Sequence, residues 1–116
     1  MPDDPIDEAT LDDLLATLGG DEAFLAELIG SYLADSPPLL DAMRAAAAAG
    51  DVVALRRAAH TLKSTSASLG ALRLSGVCRE VEGAASAERV RADLVEAAAA
   101  EYARVSEALA ARAGAA

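Results

Sequence analysis

The chain has 116 residues and a net charge of −9, and its 53% hydrophobic content includes only 3% aromatics, alanine supplying much of the rest. That length buries one core rather than two, and the alanine-rich make-up favours helices packed through leucine, valine and alanine layers. Ten basic residues spread among nineteen acids do not readily supply the clustered positive surface that nucleic-acid binding needs. One cysteine excludes an internal disulfide and is compatible with a reducing compartment. No apolar run approaches the ~20 residues that span a bilayer, and the opening MPDDPIDE has neither the basic nor the apolar region of a signal peptide. A cytoplasmic protein is expected, without nucleic-acid or membrane partners.

Residues 1–6 carry two prolines and two aspartates and read as a flexible or loosely attached lead. A short helix follows over residues 7–18, with Leu11, Leu14, Leu15 and Leu18 on one face and Gly19 and Gly20 as its stop. Its length suits a cap better than a bundle member. Asp21 is a good N-cap for the next helix, whose apolar positions Leu25, Ile29, Tyr32, Leu39, Met43 and Ala46 keep one register. Pro37 and Pro38 would remove two helical hydrogen bonds, so a kink or brief break is expected there, with Ser36 capping the second segment. Gly50 ends it and Asp51 caps the third helix, which Gly70 terminates. A fourth helix spans residues 71–85 with Leu74, Val77, Cys78 and Val81 inward. The last spans residues 87–113 with Val90, Leu94, Ala98, Val105 and Leu109 as its stripe, and Gly114 closes it. Short loops make neighbours antiparallel. The pattern predicts an all-α, antiparallel four-helix bundle with a short N-terminal capping helix over residues 7–113, and a tail at 114–116.

The third helix holds the only histidine. Val52, Leu55, Ala59, Leu62, Ser66 and Leu69 recur at alternating spacings of three and four, forming one buried stripe. At about 100° per residue, His60 lies roughly 130° from the centre of that stripe and should be exposed. Around it on the wheel come Arg56, Lys63, Ala67, Val53 and Ser64, two cations among small or modest side chains, with nothing acidic on that helix face. A neutral imidazole has one ring nitrogen free as a nucleophile near neutral pH, its unperturbed pKa being about 6.5. Should it accept a phosphoryl group, Lys63 and Arg56 are placed to neutralise the new charge.

The run from His60 through Glu82, HTLKSTSASLGALRLSGVCREVE, resembles the signature of histidine-containing phosphotransfer (HPt) domains of bacterial multistep phosphorelays. Matching positions are His60, Leu62, Lys63, Ser66, Leu69, Gly70, Ala71, Leu74, Cys78 and Glu82, with Val81 where leucine is usual. Length and helix order extend the likeness over about residues 10–113. One departure stands next to the lysine, where Ser64 replaces the usual glycine and puts a hydroxyl beside the imidazole. The resemblance implies that His60 accepts a phosphoryl group from a receiver-domain aspartate and passes it to another receiver in two-component signalling. It further implies a phosphotransfer intermediate without kinase activity, with response-regulator receivers and a hybrid histidine kinase as partners. No cofactor of its own is expected, Mg2+ belonging to the partner receiver. Val53, Ser64 and Ala67 are the candidate docking surface, Lys63 the phosphoryl-stabilising cation with Arg56 beside it, and a monomer is expected.

Blander readings exist for each residue. A lone exposed histidine usually has no role, and only the surrounding motif raises His60 above that. Lys63 taken alone is a solvated helix residue, and Arg56 lacks motif support and suits steering of an acidic partner equally well. Cys78, on the apolar stripe, reads as core rather than reactive thiol. Glu82 reads as structural, bonding a helix end or a basic group. One histidine and one cysteine eighteen positions apart make no metal-ligand set. Ser66 and Ser68 have no base arrangement for nucleophilic catalysis, and no glycine loop for nucleotides is present. Two competing readings remain: a phosphorylation-independent scaffold using the same face, and a sensor kinase's dimerising phosphoacceptor domain. Such domains usually carry an acidic residue directly after the histidine, where Thr61 stands here.

Overall fold

A computed structural model describes residues 4–115. Among them are five helices and no strand: α1 (Glu8–Thr17), α2 (Glu22–Ala49), α3 (Val52–Ser68), α4 (Leu72–Ser86) and α5 (Ala92–Ala115). Helices α2 to α5 form the expected antiparallel bundle, α3 packing on α2 and α4, and α5 closing the ring against α2 and α4. The molecule measures 43 × 26 × 22 Å. Its core is built from Leu25, Ile29, Met43, Leu55, Leu62, Leu74, Val81, Val95, Val105 and Leu109, with Ala59, Ala71, Cys78 and Ala98 as small spacers. Each fully buried leucine or valine contributes roughly 1.5–3 kcal/mol of apolar transfer energy.

Of the kink or brief break expected at the prolines, the break does not occur: α2 is one helix from Glu22 to Ala49. Pro37 cannot donate to the Leu33 carbonyl, and the Tyr102 hydroxyl of α5 donates to that oxygen instead, at a long 3.4 Å. Pro38 likewise cannot donate to the carbonyl of Ala34, an exposed residue. Ser36 is no cap either: it is buried, and its hydroxyl donates to the Tyr32 carbonyl at 2.7 Å. Packing against α3 and α5 thus carries one helix through two prolines. Leu40 rather than Leu39 takes the buried position after them, Leu39 being half-buried.

Three further boundaries differ from expectation. The first three residues of the expected lead lie outside the described residues, but Ile6 is buried in the core and the Asp7 amide donates to the Gly70 carbonyl at 2.8 Å. That bond docks α1 on the α3–α4 turn. Helix α5 begins at Ala92, because residues 87–91 form a connection in which Glu88 takes φ 63° and the Arg89 amide returns to the Ala84 carbonyl. Val90 is therefore half-buried in that connection, and Val95 opens the buried stripe. At the other end Gly114 lies inside α5 rather than closing it.

Candidate functional site

The third helix buries the face its periodicity requires. Leu55, Ala59, Leu62 and Ser66 are sealed, and the Tyr32 hydroxyl hydrogen-bonds Ser66 Oγ at 2.8 Å in the interior. Burial pushes the Tyr32 phenol up to about 12, so the pair is a neutral hydrogen bond that fixes the rotation of α3 against α2. With that face inward, His60 turns outward, its side chain 60% exposed. On the α4 side the Ser75 hydroxyl donates to the Lys63 carbonyl at 2.9 Å, a cross-link that sets how α4 slides along α3.

That register brings Glu82 to the histidine. Glu82 Oε2 lies 2.6 Å from His60 Nδ1, and Glu82 Oε1 accepts from Lys63 Nζ at 2.5 Å. A carboxylate can only accept, so in the neutral ring the proton sits on Nδ1 and the lone pair on Nε2. The Glu82 carboxyl is held below the usual carboxylate range, chiefly by the Lys63 hydrogen bond and further by His60, against the opposing effect of partial burial. The absence of acid on His60's own helix face is thus made good by the neighbouring helix.

A carboxyl whose folded pKa is lowered adds stability above its unfolded value of about 4.3, and loses it as pH falls through the folded value. Urea midpoints of the parent chain and of Glu82→Gln should accordingly differ near neutral pH, the parent being the more stable. The gap should narrow once pH falls below about 4.3 and close in stronger acid. A gap independent of pH would show that the carboxylate charge contributes nothing.

The other candidate residues divide into two groups. Arg56 lines a shallow hollow of about 460 Å³ together with Arg57, His60, Thr61, Glu82 and Ser86. Val53, Ser64 and Ala67 lie outside it: Val53 is 52% exposed, Ser64 exposed and Ala67 half-buried. Lys63 is not a free cation at the imidazole's shoulder but a half-buried partner of Glu82. Sequence reasoning missed the contact of Glu82 with the ring and the presence of Arg57. Hairpin symmetry was the available signal for Glu82, since His60 lies ten residues before Gly70 and Glu82 twelve after it. Cys78 is buried and its thiol pushed up to about 12, which keeps it protonated and inert. Among the described residues no group of three or more His, Cys, Asp or Glu is placed to hold a metal ion, and no helix is long and apolar enough to cross a membrane.

Comparison with known proteins bears on the family and the fold. The family model described as "Hpt domain" matches residues 27–112, which include His60, Lys63 and Glu82. The fold is similar to the crystal structure of histidine-containing phosphotransfer protein B (HptB) from Pseudomonas aeruginosa PAO1, with a TM-score of 0.87 and 28% identity over 95% of each chain. A search of the curated proteins finds no match.

Proposed function

The chain belongs to the Hpt domain family, whose part in two-component signalling is phosphotransfer, and from that premise we propose that His60 is its phosphoacceptor. Nε2 attacks the phosphorus of a receiver's aspartyl phosphate. The P–Nε2 bond forms as the P–O bond breaks, and the aspartate carboxylate leaves with that electron pair. The ring becomes a cation that keeps its proton on Nδ1, and that N–H donates a hydrogen bond to Glu82. In the second half of the relay another receiver's aspartate attacks, and the neutral imidazole is the leaving group. Attacking and leaving atoms must lie roughly in line, which an exposed ring on the convex face of a stiff helix permits.

The single observation that supports this best is the hydrogen bond between Glu82 and Nδ1 at 2.6 Å. It selects the tautomer that leaves Nε2 nucleophilic and offers a counter-charge to the phosphorylated ring. Lys63, held on the same carboxylate, keeps Glu82 ionised and offsets its repulsion of an incoming phosphoryl group. In this reading the chain is a relay intermediate with no kinase activity and no cofactor of its own, Mg2+ being held by the receiver. It acts as a cytoplasmic monomer between a hybrid histidine kinase and response-regulator receivers, which dock over Val53, Ser64 and Ala67.

Mixing the protein with each phosphorylated receiver domain of its source organism tests the reading. Cognate receivers should pass on an acid-labile, base-stable label within seconds, and transfer from none of them would overturn it. Ser64→Gly should leave transfer intact or speed it, because Ser64 is exposed, four residues beyond His60 on the same helix side, and the change opens space at the ring. A large fall in transfer rate would show that the hydroxyl assists the chemistry.

A further inference from the structure

The hollow beside His60 holds two cations that the proposal above leaves idle. Arg56 and Arg57 stand four and three residues before the histidine on α3, so both share its side of the helix. Both line the hollow, across from Glu82 and Ser86 of α4. Elsewhere Arg44, Arg91 and Arg112 are bound to Glu96, Asp93 and Glu22 at 2.8–2.9 Å. Among the described residues no carboxylate engages Arg56 or Arg57, and Arg79 and Arg89, which do not line the hollow, share that lack of a carboxylate partner. A chain with nineteen acids and only ten lysines and arginines thus keeps two adjacent guanidinium groups unpaired beside its one histidine.

Lys63 is differently placed. Glu82 holds its ammonium at 2.5 Å, and it does not line the hollow. Drawing Lys63 onto a phosphoryl group would take its charge from Glu82, leaving that carboxylate the His60 ring alone as partner beside up to two new negative charges. The arginines need break no ion pair, and a planar guanidinium fork fits phosphoryl oxygens bidentately. Counting the charged groups facing the hollow or bound at its edge, Glu82 and Lys63 cancel and Arg56 and Arg57 leave it positive.

Resting on His60 as phosphoacceptor, we infer that Arg57, with Arg56, binds the phosphoryl group directly, while Lys63 stays on Glu82. The two arginines are the phosphoryl-binding residues of this site, and Lys63 is a positioning residue that acts through Glu82.

Phosphoramidate, a small donor, tests this without a receiver. The Nε2 lone pair attacks phosphorus, the donor's P–N bond breaks, and ammonia leaves with the bonding pair. Uptake is followed by 31P NMR on the full chain, and the phosphohistidine signal is then titrated with pH. Arg57→Gln and Arg56→Gln should each slow uptake about two- to fivefold, the size of one exposed charged contact. Each should also raise the second ionisation of the phosphoryl group by a few tenths of a pH unit, a shift that a purely structural role would not cause. Arg57→Lys should restore part of both effects. In Lys63→Gln the phosphoryl titration should shift less than in either arginine variant, since that charge acts only through Glu82. If the parent is labelled at His60 but both arginine variants match it in rate and titration, or Lys63→Gln shifts the titration as much as they do or more, the inference fails and His60 stands. If the parent takes no label that His60→Gln lacks, both fall.

Discussion

Replacing His60 with glutamine should remove phosphoryl uptake altogether, while leaving the fold as stable as before. The chain has no second histidine to substitute, so the acid-labile, base-stable label gained from a phosphorylated receiver should drop at least a thousandfold, to background, because no phosphoramidate can form. Stability should hold because the imidazole is 60% exposed and contributes nothing to the core. A glutamine amide can still donate to Glu82, and the Lys63–Glu82 ion pair survives on its own geometry. The urea midpoint should therefore correspond to a change within about 0.5 kcal/mol, as for surface substitutions generally. Label retained by the variant would place the phosphoacceptor elsewhere. Label lost together with the fold would mean that the site and the bundle are not separable in the way the exposed ring implies.

The largest effect on stability is expected far from the chemistry, at Gly70. Its φ of +83° lies in the left-handed region, and a Cβ there would stand 2.8 Å from the Asp7 carbonyl oxygen and 3.3 Å from Thr10 Cβ. Neither neighbour can yield cheaply. Asp7 is the residue on which α1 starts, its carbonyl already accepts from Thr10 and Leu11, and its amide is bound to the Gly70 carbonyl at 2.8 Å. Left-handed strain costs about 1–2 kcal/mol for a residue with a side chain, and losing the docking hydrogen bond adds about 0.5–1.5 kcal/mol. Gly70→Ala should thus destabilise by about 1.5–3.5 kcal/mol, lowering Tm by roughly 10 °C in a domain of this size.

Gly50→Ala is the matched control. Its φ is similar, +68°, but nothing lies within 4 Å of the added carbon, so only the backbone term of about 1–2 kcal/mol applies. Thermal unfolding followed by circular dichroism at 222 nm should separate the two variants. Equal losses would show that the contact between α1 and the α3–α4 turn is not what Gly70 serves. The placement of Ile6 in the core depends on that same contact, which is why a segment with a proline-rich, acidic look is partly tied down.

Much of this was readable in the chain itself, because it depended on local periodicity. The spacing of Leu55, Ala59, Leu62 and Ser66 determined which side of α3 is buried, and hence that His60 faces solvent, since a helix rotates by a constant angle per residue. Caps followed the same way: the Asp21 and Asp51 carboxylates accept from Phe24 and Ala54 amides at 3.0 Å, three residues along. Only tertiary structure decided what those faces meet. The Leu33 carbonyl that Pro37 leaves without its helical donor meets a hydroxyl from Tyr102, 69 positions from Leu33 in the chain. Whether Lys63 is free depended on Glu82, which arrives through the sliding register of two helices locked by Ser75. Periodicity specifies the direction in which a side chain leaves its helix. It carries no information on which partner fills the space beyond, because that is settled by packing between elements whose relative translation no single helix encodes.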